Sequence, residues 1–316
     1  MTNGVAWPLF GHDAAEASVI AAMDSRRMHH AWLLEGPSGI GKARLARRFA
    51  ATLLGAKAMS PNRLDVSRED PIVEKMLAGA HPDFRWVSRR PNEKGKLPLF
   101  IPVDQVREDL VSFFTLKPAL GGRRVCVVDA LDELNASGAN ALLKSLEEPP
   151  SHCVLILIYH GQRALLATIR SRCRRLRMMT LGPEDLEAAL SGASETVAAR
   201  AKGFAAGRPG RAIAFSDPEA LAGLAAAETL LGHLDRGPLR EAPSIFASAA
   251  KSDASFSAFT SGLLDGLGTR AFDQPALADA WLWVTRLLDH ASRDAMDRGQ
   301  TTAKLVSGLQ EHYRTA

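Results

Sequence analysis

The sequence predicts an α/β protein, a parallel sheet covered by helices on both faces, followed by an all-helical C-terminal third. Three observations predict it. The apolar runs "HHAWLLEG", "RRVCVVDA" and "HCVLILIYH" alternate with helical patterns, and strands of continuous apolar character are those buried on both faces. A glycine-rich stretch, residues 36–42, lies between the first run and a helical one. Strand-like runs largely vanish after Arg177.

"HHAWLLEG" reads as a buried strand entering a loop. "KARLARRFAATLL" places Leu45, Phe49 and Leu53 at four-residue spacing, one apolar helical face. Residues 55–100 read as irregular, with a polar tract at "SPNRLDVSRED" and a hairpin at "RRPNEKGKLPLF". Asp104 reads as a helix cap ahead of Val106, Leu110, Phe113 and Phe114 on one face. "RRVCVVDA" is a second strand, closing on Asp129. "GANALLKSLEEPP" is a helix stopped by Pro149 and Pro150, because proline lacks the amide hydrogen and clashes with the preceding turn. "HCVLILIYH" is a third strand. "GPEDLEAALSGA" and "SETVAARAKGFAAGRPG" read as short helices of a small subdomain. From about residue 217 the pattern is helical to the end, and the stripe Leu277, Trp281, Val284 and Leu288 reads as core packing.

Composition is that of an ordinary globular protein, with 316 residues, 46% hydrophobic and 23% charged, enough for two or three domains. No signal peptide is expected from "MTNGVAWPLFGHD". The longest apolar run, residues 154–159, is far too short to cross a bilayer. Cys126, Cys153 and Cys173 are scattered, which predicts a reducing cytoplasm, no disulfide framework and no zinc site. The net charge of +4 is compatible with a nucleic-acid partner without demanding one.

Three stretches carry candidate chemistry. "GPSGIGKA" (Gly36, Pro37, Ser38, Gly39, Ile40, Gly41, Lys42, Ala43) has the frame of a phosphate-binding loop. In such a loop, amides and a helix N-terminus cradle phosphates. The lysine neutralises the terminal phosphates and the next hydroxyl binds magnesium. Ala43 has no lone pair for that last task. A glycine-rich strand-to-helix turn without a ligand is the plainer alternative.

In "VCVVDALDELN", four apolar residues precede Asp129, which resembles a Walker B strand offering a carboxylate to magnesium. The next residue, normally a glutamate that activates water, is Ala130. Asp132 and Glu133 lie just beyond, and a shift of three residues is expected to point them elsewhere. The plainer alternative has Asp129 capping the next turn. With both groups missing, the chain is not expected to hydrolyse ATP well by itself. It would hold ATP or ADP passively, or keep the loop as scaffold.

"LLATIRSRCRRLRM" gathers Arg170, Arg172, Arg174, Arg175 and Arg177. It reads as a solvated basic strand edge, a phosphate-contacting patch, or a segment that projects one guanidinium into a neighbour's nucleotide site. The planar, permanently charged fork of arginine suits the third role.

"HHAWLLEGPSGIGK", "IPVDQVRE", "NALLKSLEEPP" and "IRSRCRR" occur in an order and spacing that resemble the bacterial clamp-loader AAA+ family of DNA polymerase III subunits. The resemblance covers residues 8 to about 215, and the C-terminal third by layout only. It implies an AAA+ P-loop (RecA-like) domain over 1–177, a helical lid over 178–216 and a helical collar, the oligomerisation domain, over 217–316. Ser171, Arg172 and Cys173 resemble the family's arginine-finger triplet, so the resemblance assigns the finger to Arg172.

The chain departs from the motor members at Ala43 and Ala130. It also lacks the cysteine cluster that many relatives carry after the first helix. "GRPGRAIAF" resembles the sensor-2 segment with Gly210 at the arginine position and Arg211 one place later. Tyr159 falls where a small polar sensor-1 residue is expected. These departures point to the family's delta-prime branch, which donates a finger without hydrolysing.

The resemblance implies partners: the gamma/tau motor and delta subunits in a five-membered ring, and through them the sliding clamp and primer-template DNA. It implies no intrinsic catalysis within the polymerase III holoenzyme, no required cofactor, no metal and no membrane. Two rivals remain. An autonomous P-loop ATPase would need a magnesium ligand and a base. A direct DNA-binding module would use the arginine cluster and bind with steep salt dependence.

Overall fold

The structure is a computed structural model describing residues 4–25, 28–91, 95, 98, 100–120, 122–162, 165–191, 206–214, 217–234, 242–271, 276–293 and 296–315. Contacts divide the chain into two compact units, the described residues up to Arg211 in the first and those from Ala212 onward in the second.

The first unit has seven strands in chain order: β1 Val5–Ala6, β2 Ala31–Glu35, β3 Val66–Ser67, β4 Phe84–Val87, β5 Arg124–Asp129, β6 Cys153–Tyr159 and β7 Arg174–Arg177. β1 and β3 form a small antiparallel pair, and the other five form one sheet in the order β4-β5-β6-β2-β7. Every pairing in that sheet is parallel, with β2 set against β6 from Ala31↔Leu155 to Glu35↔Tyr159.

Successive strand side chains point to opposite faces, and both faces are covered. Trp32, Leu34, Val125, Val127, Ile156 and Ile158 pack with Leu45 and Phe49 of the helix Lys42–Leu53. Leu33, Cys126, Val128, Leu155 and Leu157 pack on the other side with Val106, Leu110, Leu142 and Leu146. Fully burying each such side chain contributes about 1.5–3 kcal/mol. The expected parallel sheet covered on both faces is therefore present, with the three apolar runs at its centre.

The described residues of the 55–100 stretch are not irregular. They hold β3, the helix Pro71–Leu77 and the edge strand β4. The Asp70 carboxylate caps that helix, accepting the Ile72 amide at 2.9 Å. These elements are too short to show a period. The hairpin expected at 89–100 falls largely outside the described residues. Asp104 is not a cap. The helix starts at Val103, after Pro102, and Asp104 sits exposed in its first turn, 3.2 Å from Arg107. That helix widens into a π-helical stretch, Arg107–Ser112, and closes in Phe113–Thr115. The helix Ala136–Glu147 begins at Asn135, whose side chain accepts the Gly138 amide at 2.8 Å, and ends ahead of Pro149 as expected.

β7 is a basic strand at the sheet edge, with Arg174, Arg175 and Arg177 exposed and Leu176 buried. Beyond it lie the helices Pro183–Leu190 and Pro209–Ala214. Most of the second short helix expected there, in "SETVAARAKGFAAGRPG", falls outside the described residues.

The second unit contains the helices Pro218–Leu234, Ala242–Ala250, Asp253–Ala271, Ala276–Arg293 and Arg298–Thr315. Its core gathers Ala227, Leu230, Phe259, Leu263, Leu267, Leu305 and Leu309. Leu277 and Val284 are buried, and Trp281 and Leu288 pack half-buried on that core, so the predicted stripe is a packing face. Among the described residues, no helix is long and apolar enough to cross a membrane.

Candidate functional site

The glycine loop leaves the end of β2 and turns onto the helix Lys42–Leu53. The Gly36 amide donates to the Tyr159 carbonyl at 3.3 Å. Gly36 has φ +152°, and a Cβ there would lie 2.2 Å from the Met178 carbonyl oxygen. Only glycine lets the loop start this close to the strand beside it. From the other side His12 Nε2 donates to the Ile40 carbonyl at 2.7 Å. Arg44 and Arg48 donate to the carbonyls of Pro8 and Trp7 at 2.7 and 2.9 Å, tying the preceding segment to the helix.

Lys42 is only 2% exposed. Its Nζ donates to the carbonyls of Gly36 and Pro37 within its own loop. Burial pushes its pKa down to about 7. Asp132 and Asp129 oppose that shift, and Arg208 adds to it. Ala43 packs against the core beneath the helix. Asp129 closes β5, where burial raises its pKa against the charges of Arg47 and Lys42. Arg47 in turn stacks 3.9 Å from the Trp86 ring centroid. Ala130 is buried in the core.

Asp132 corrects the sequence reading. It does not point away from the pocket. It is 6% exposed, and its charge acts on Lys42 more strongly than that of Asp129. The strand does not continue past Asp129; a 3₁₀ turn, Leu131–Glu133, follows and buries Asp132. Its two oxygens accept the amides of His160 at 2.6 Å and Gln162 at 2.7 Å. Glu133 does point elsewhere, to Arg89 at 2.8 Å. His160 follows β6, and burial, with Lys42 second, holds its pKa down at about 3, so the ring is neutral at neutral pH.

The "GRPGR" segment lies directly on the loop. The Gly210 amide donates to the Gly39 carbonyl at 2.8 Å. A Cβ on Gly210 would come within 2.8 Å of Gly39 Cα, so a side chain has no room there. Arg211 lies beside the loop, its amide 3.0 Å from where a Cβ on Gly39 would sit. The cation that acts on Lys42 is instead Arg208, 7% exposed, which sequence reasoning missed.

The arginine segment is built differently. The helix Ala167–Ser171 is seated by Ile169, 2% exposed, in the cluster that holds Leu142 and Leu146. Arg172 caps its end. Nη1 donates to the Thr168 carbonyl at 3.0 Å and Nη2 lies 3.1 Å from Glu147 Oε1. Ser171 is exposed and donates to the same Thr168 carbonyl at 3.2 Å. Burial, with Glu35 second, pushes the Cys173 thiol up to about 12, which leaves it protonated and inert. Arg175 and Arg177 pair with Glu35 at 2.8 and 3.7 Å, and Arg174 stacks 4.7 Å from the Trp32 ring centroid.

The residues present fit a phosphate better than a divalent metal. Loop amides at a helix N-terminus form an anion cradle. The metal's two expected protein groups are not there as a pair, since Ala43 has no lone pair and Asp129 sits in a buried setting with two cations for company. Among the described residues no group of three or more His, Cys, Asp or Glu side chains is arranged to hold a metal.

Over residues 11–182, more than half its length, the chain matches the family described as "DNA polymerase III, delta subunit". It is 43% identical over 152 residues to DNA polymerase III subunit delta' of Pseudomonas aeruginosa, covering 48% of this chain and 44% of that one. It is 33% identical over 202 residues to subunit delta' of Escherichia coli, covering 62% and 57%. Against DNA polymerase III subunit gamma of Buchnera aphidicola (subsp. Schizaphis graminum) it is 32% identical over 163 residues, covering 51% and 41%. Each match spans about half the relative's length. With this sheet order, this loop and this extent of match, the chain belongs to the DNA polymerase III delta subunit family.

Proposed function

We propose that this chain is a delta-prime-type subunit of a bacterial clamp loader. In this reading it joins gamma/tau motor subunits and a delta subunit in the cytoplasm, in a five-membered ring. The ring opens the sliding clamp and closes it around primer-template DNA. The chain contributes Arg172 to a nucleotide bound by an adjacent motor subunit, and its own loop serves as scaffold or passive nucleotide holder.

One observation carries the reading. A half-exposed arginine, fixed at the end of a short helix, coexists with a pocket that has alanine at both catalytic positions, Ala43 and Ala130. The outward arginine can pair its fork with a terminal phosphate and offset the charge that develops during transfer. The position after Asp129, where a water-activating glutamate is expected, holds Ala130. Both Asp132 oxygens accept backbone amides, which spends the nearest alternative carboxylate on structure. An autonomous ATPase is disfavoured on that ground. A DNA-binding module has less support from the arginine cluster, since Arg175 and Arg177 pair with Glu35 and Arg174 stacks on Trp32.

The test is Arg172→Ala. The variant is expected to fold, to assemble with motor and delta subunits, and to depress the ATPase of the reconstituted complex. Unchanged turnover in a fully assembled complex would refute the assignment.

A further inference from the structure

The segment that carries Arg172 is gripped at both ends by carboxylates from one stretch, the turn and helix that follow β5. At its start, Asp132 accepts the amides of His160 at 2.6 Å and Gln162 at 2.7 Å. At its end, Glu147, the last residue of the helix Ala136–Glu147, lies 3.1 Å from Nη2 of Arg172. Between the two, Ile169 packs into the cluster containing Leu142 and Leu146 of that same helix.

The grip on Arg172 sets an orientation. Nη2 is held by Glu147 while Nη1 donates to the Thr168 carbonyl four residues back at 3.0 Å. Two anchors on separate nitrogens fix the plane of the guanidinium. Arginine carries five N–H donors, so donors remain for a further acceptor. The side chains of Arg172 and Glu147 are 36% and 49% exposed, and a pair this accessible adds little to folding stability. What it does supply is geometry.

We propose that Glu147 is a positioning residue for Arg172, holding the guanidinium in the orientation it presents to a neighbouring subunit's nucleotide, while Asp132 holds the other end of the segment. The inference rests on the arginine-finger reading above. A long side chain ordered before subunits meet carries no ordering cost at the encounter. The carboxylate at 147 thus acts on a reaction it never touches.

The test uses the reconstituted complex with this subunit carrying Glu147→Gln, Arg172→Ala, or both. ATP turnover is measured against ATP concentration, with assembly checked by mass. Glu147→Gln is expected to assemble normally and to lose roughly two- to tenfold in kcat, the factor that corresponds to ordering one rotamer-rich side chain. The KM for ATP should move little, because the motor subunit's own contacts to nucleotide are unaltered. The double variant should match Arg172→Ala alone, a non-additivity that general loosening of the fold does not produce.

If Arg172→Ala depresses turnover but Glu147→Gln leaves it unchanged or raises it, the positioning role is overturned and the finger survives. A further loss from Glu147→Gln in the Arg172→Ala background also overturns it. If Arg172→Ala itself changes nothing, the finger reading fails and takes this inference with it.

Discussion

In the proposed function Lys42 and Arg172 are both cations offered to phosphate chemistry, and the fold treats them in opposite ways. Lys42 is buried, folded onto the carbonyls of its own loop, and balanced by Asp132 and Asp129 across the pocket. Arg172 stands half-exposed on the surface, held by one carboxylate and one carbonyl that leave donors to spare. The first environment suits a charge that must be compensated where it sits. The second suits a charge that is to be used outside the chain. A motif's letters alone would rank the loop above the triplet; the surroundings of the two cations reverse that order.

The largest expected effect tests the outward cation. Arg172→Ala should slow the adjoining motor site by about 10³-fold or more, the scale of an arginine finger. Single-turnover hydrolysis in the assembled complex reads that site.

Next comes the support of the pocket floor. Asp132→Ala removes the acceptor of two backbone amides, and each group left unpaired costs about 1–3 kcal/mol. The urea midpoint of the isolated chain should fall accordingly, and a change within error would mean that the loop after β6 holds itself. Gly210→Arg restores the arginine that motor relatives are expected to carry. A Cβ there meets Gly39 Cα at 2.8 Å, so the substitution should destabilise by about 1–3 kcal/mol without adding hydrolysis.

The inward cation predicts a pH effect. The pKa of Lys42 is pushed down from the usual 10.5 to about 7. The folded form therefore bears a penalty that is fully present below pH 7 and is relieved as pH rises towards 10.5. A polyphosphate in the loop favours the charged lysine, so binding should take up a proton above pH 7 and weaken as pH rises. Calorimetry of pyrophosphate binding at pH 8, in two buffers of different ionisation heat, measures that proton. Lys42→Met should remove it. If Lys42→Met leaves the uptake unchanged, another group takes up the proton. The smallest effect is expected from Ala43→Thr, which should leave ATP hydrolysis unchanged because Ala130 still supplies no carboxylate; a large gain would point to a base elsewhere in the pocket.

Much of this could be read from the residues, and the parts that could not have physical causes. The three central strands announce themselves because both faces are buried, so nearly every residue is apolar. β4, "FRWV", does not, because it is a short edge strand whose middle residues are only half-buried. The glycine loop and the Ser171-Arg172-Cys173 triplet are local in sequence and so were legible. The placement of Asp132 is not legible, because strand geometry extended past Asp129 takes no account of the 3₁₀ turn Leu131–Glu133. Arg208 is not legible, because the motif points to position 210. Glu147 stands in plain view in "NALLKSLEEPP", but its partner comes from another element, and no periodicity encodes that pairing.

The most direct measurement compares two reconstituted complexes that differ only in this subunit, one with Arg172→Ala and one with Lys42→Met. Deeply depressed ATP turnover is expected for Arg172→Ala and near-normal turnover for Lys42→Met, as the proposed placement of the chemistry in the neighbour's site requires. Depressed turnover with Lys42→Met and normal turnover with Arg172→Ala would contradict it, and would place the reaction in this chain's own pocket.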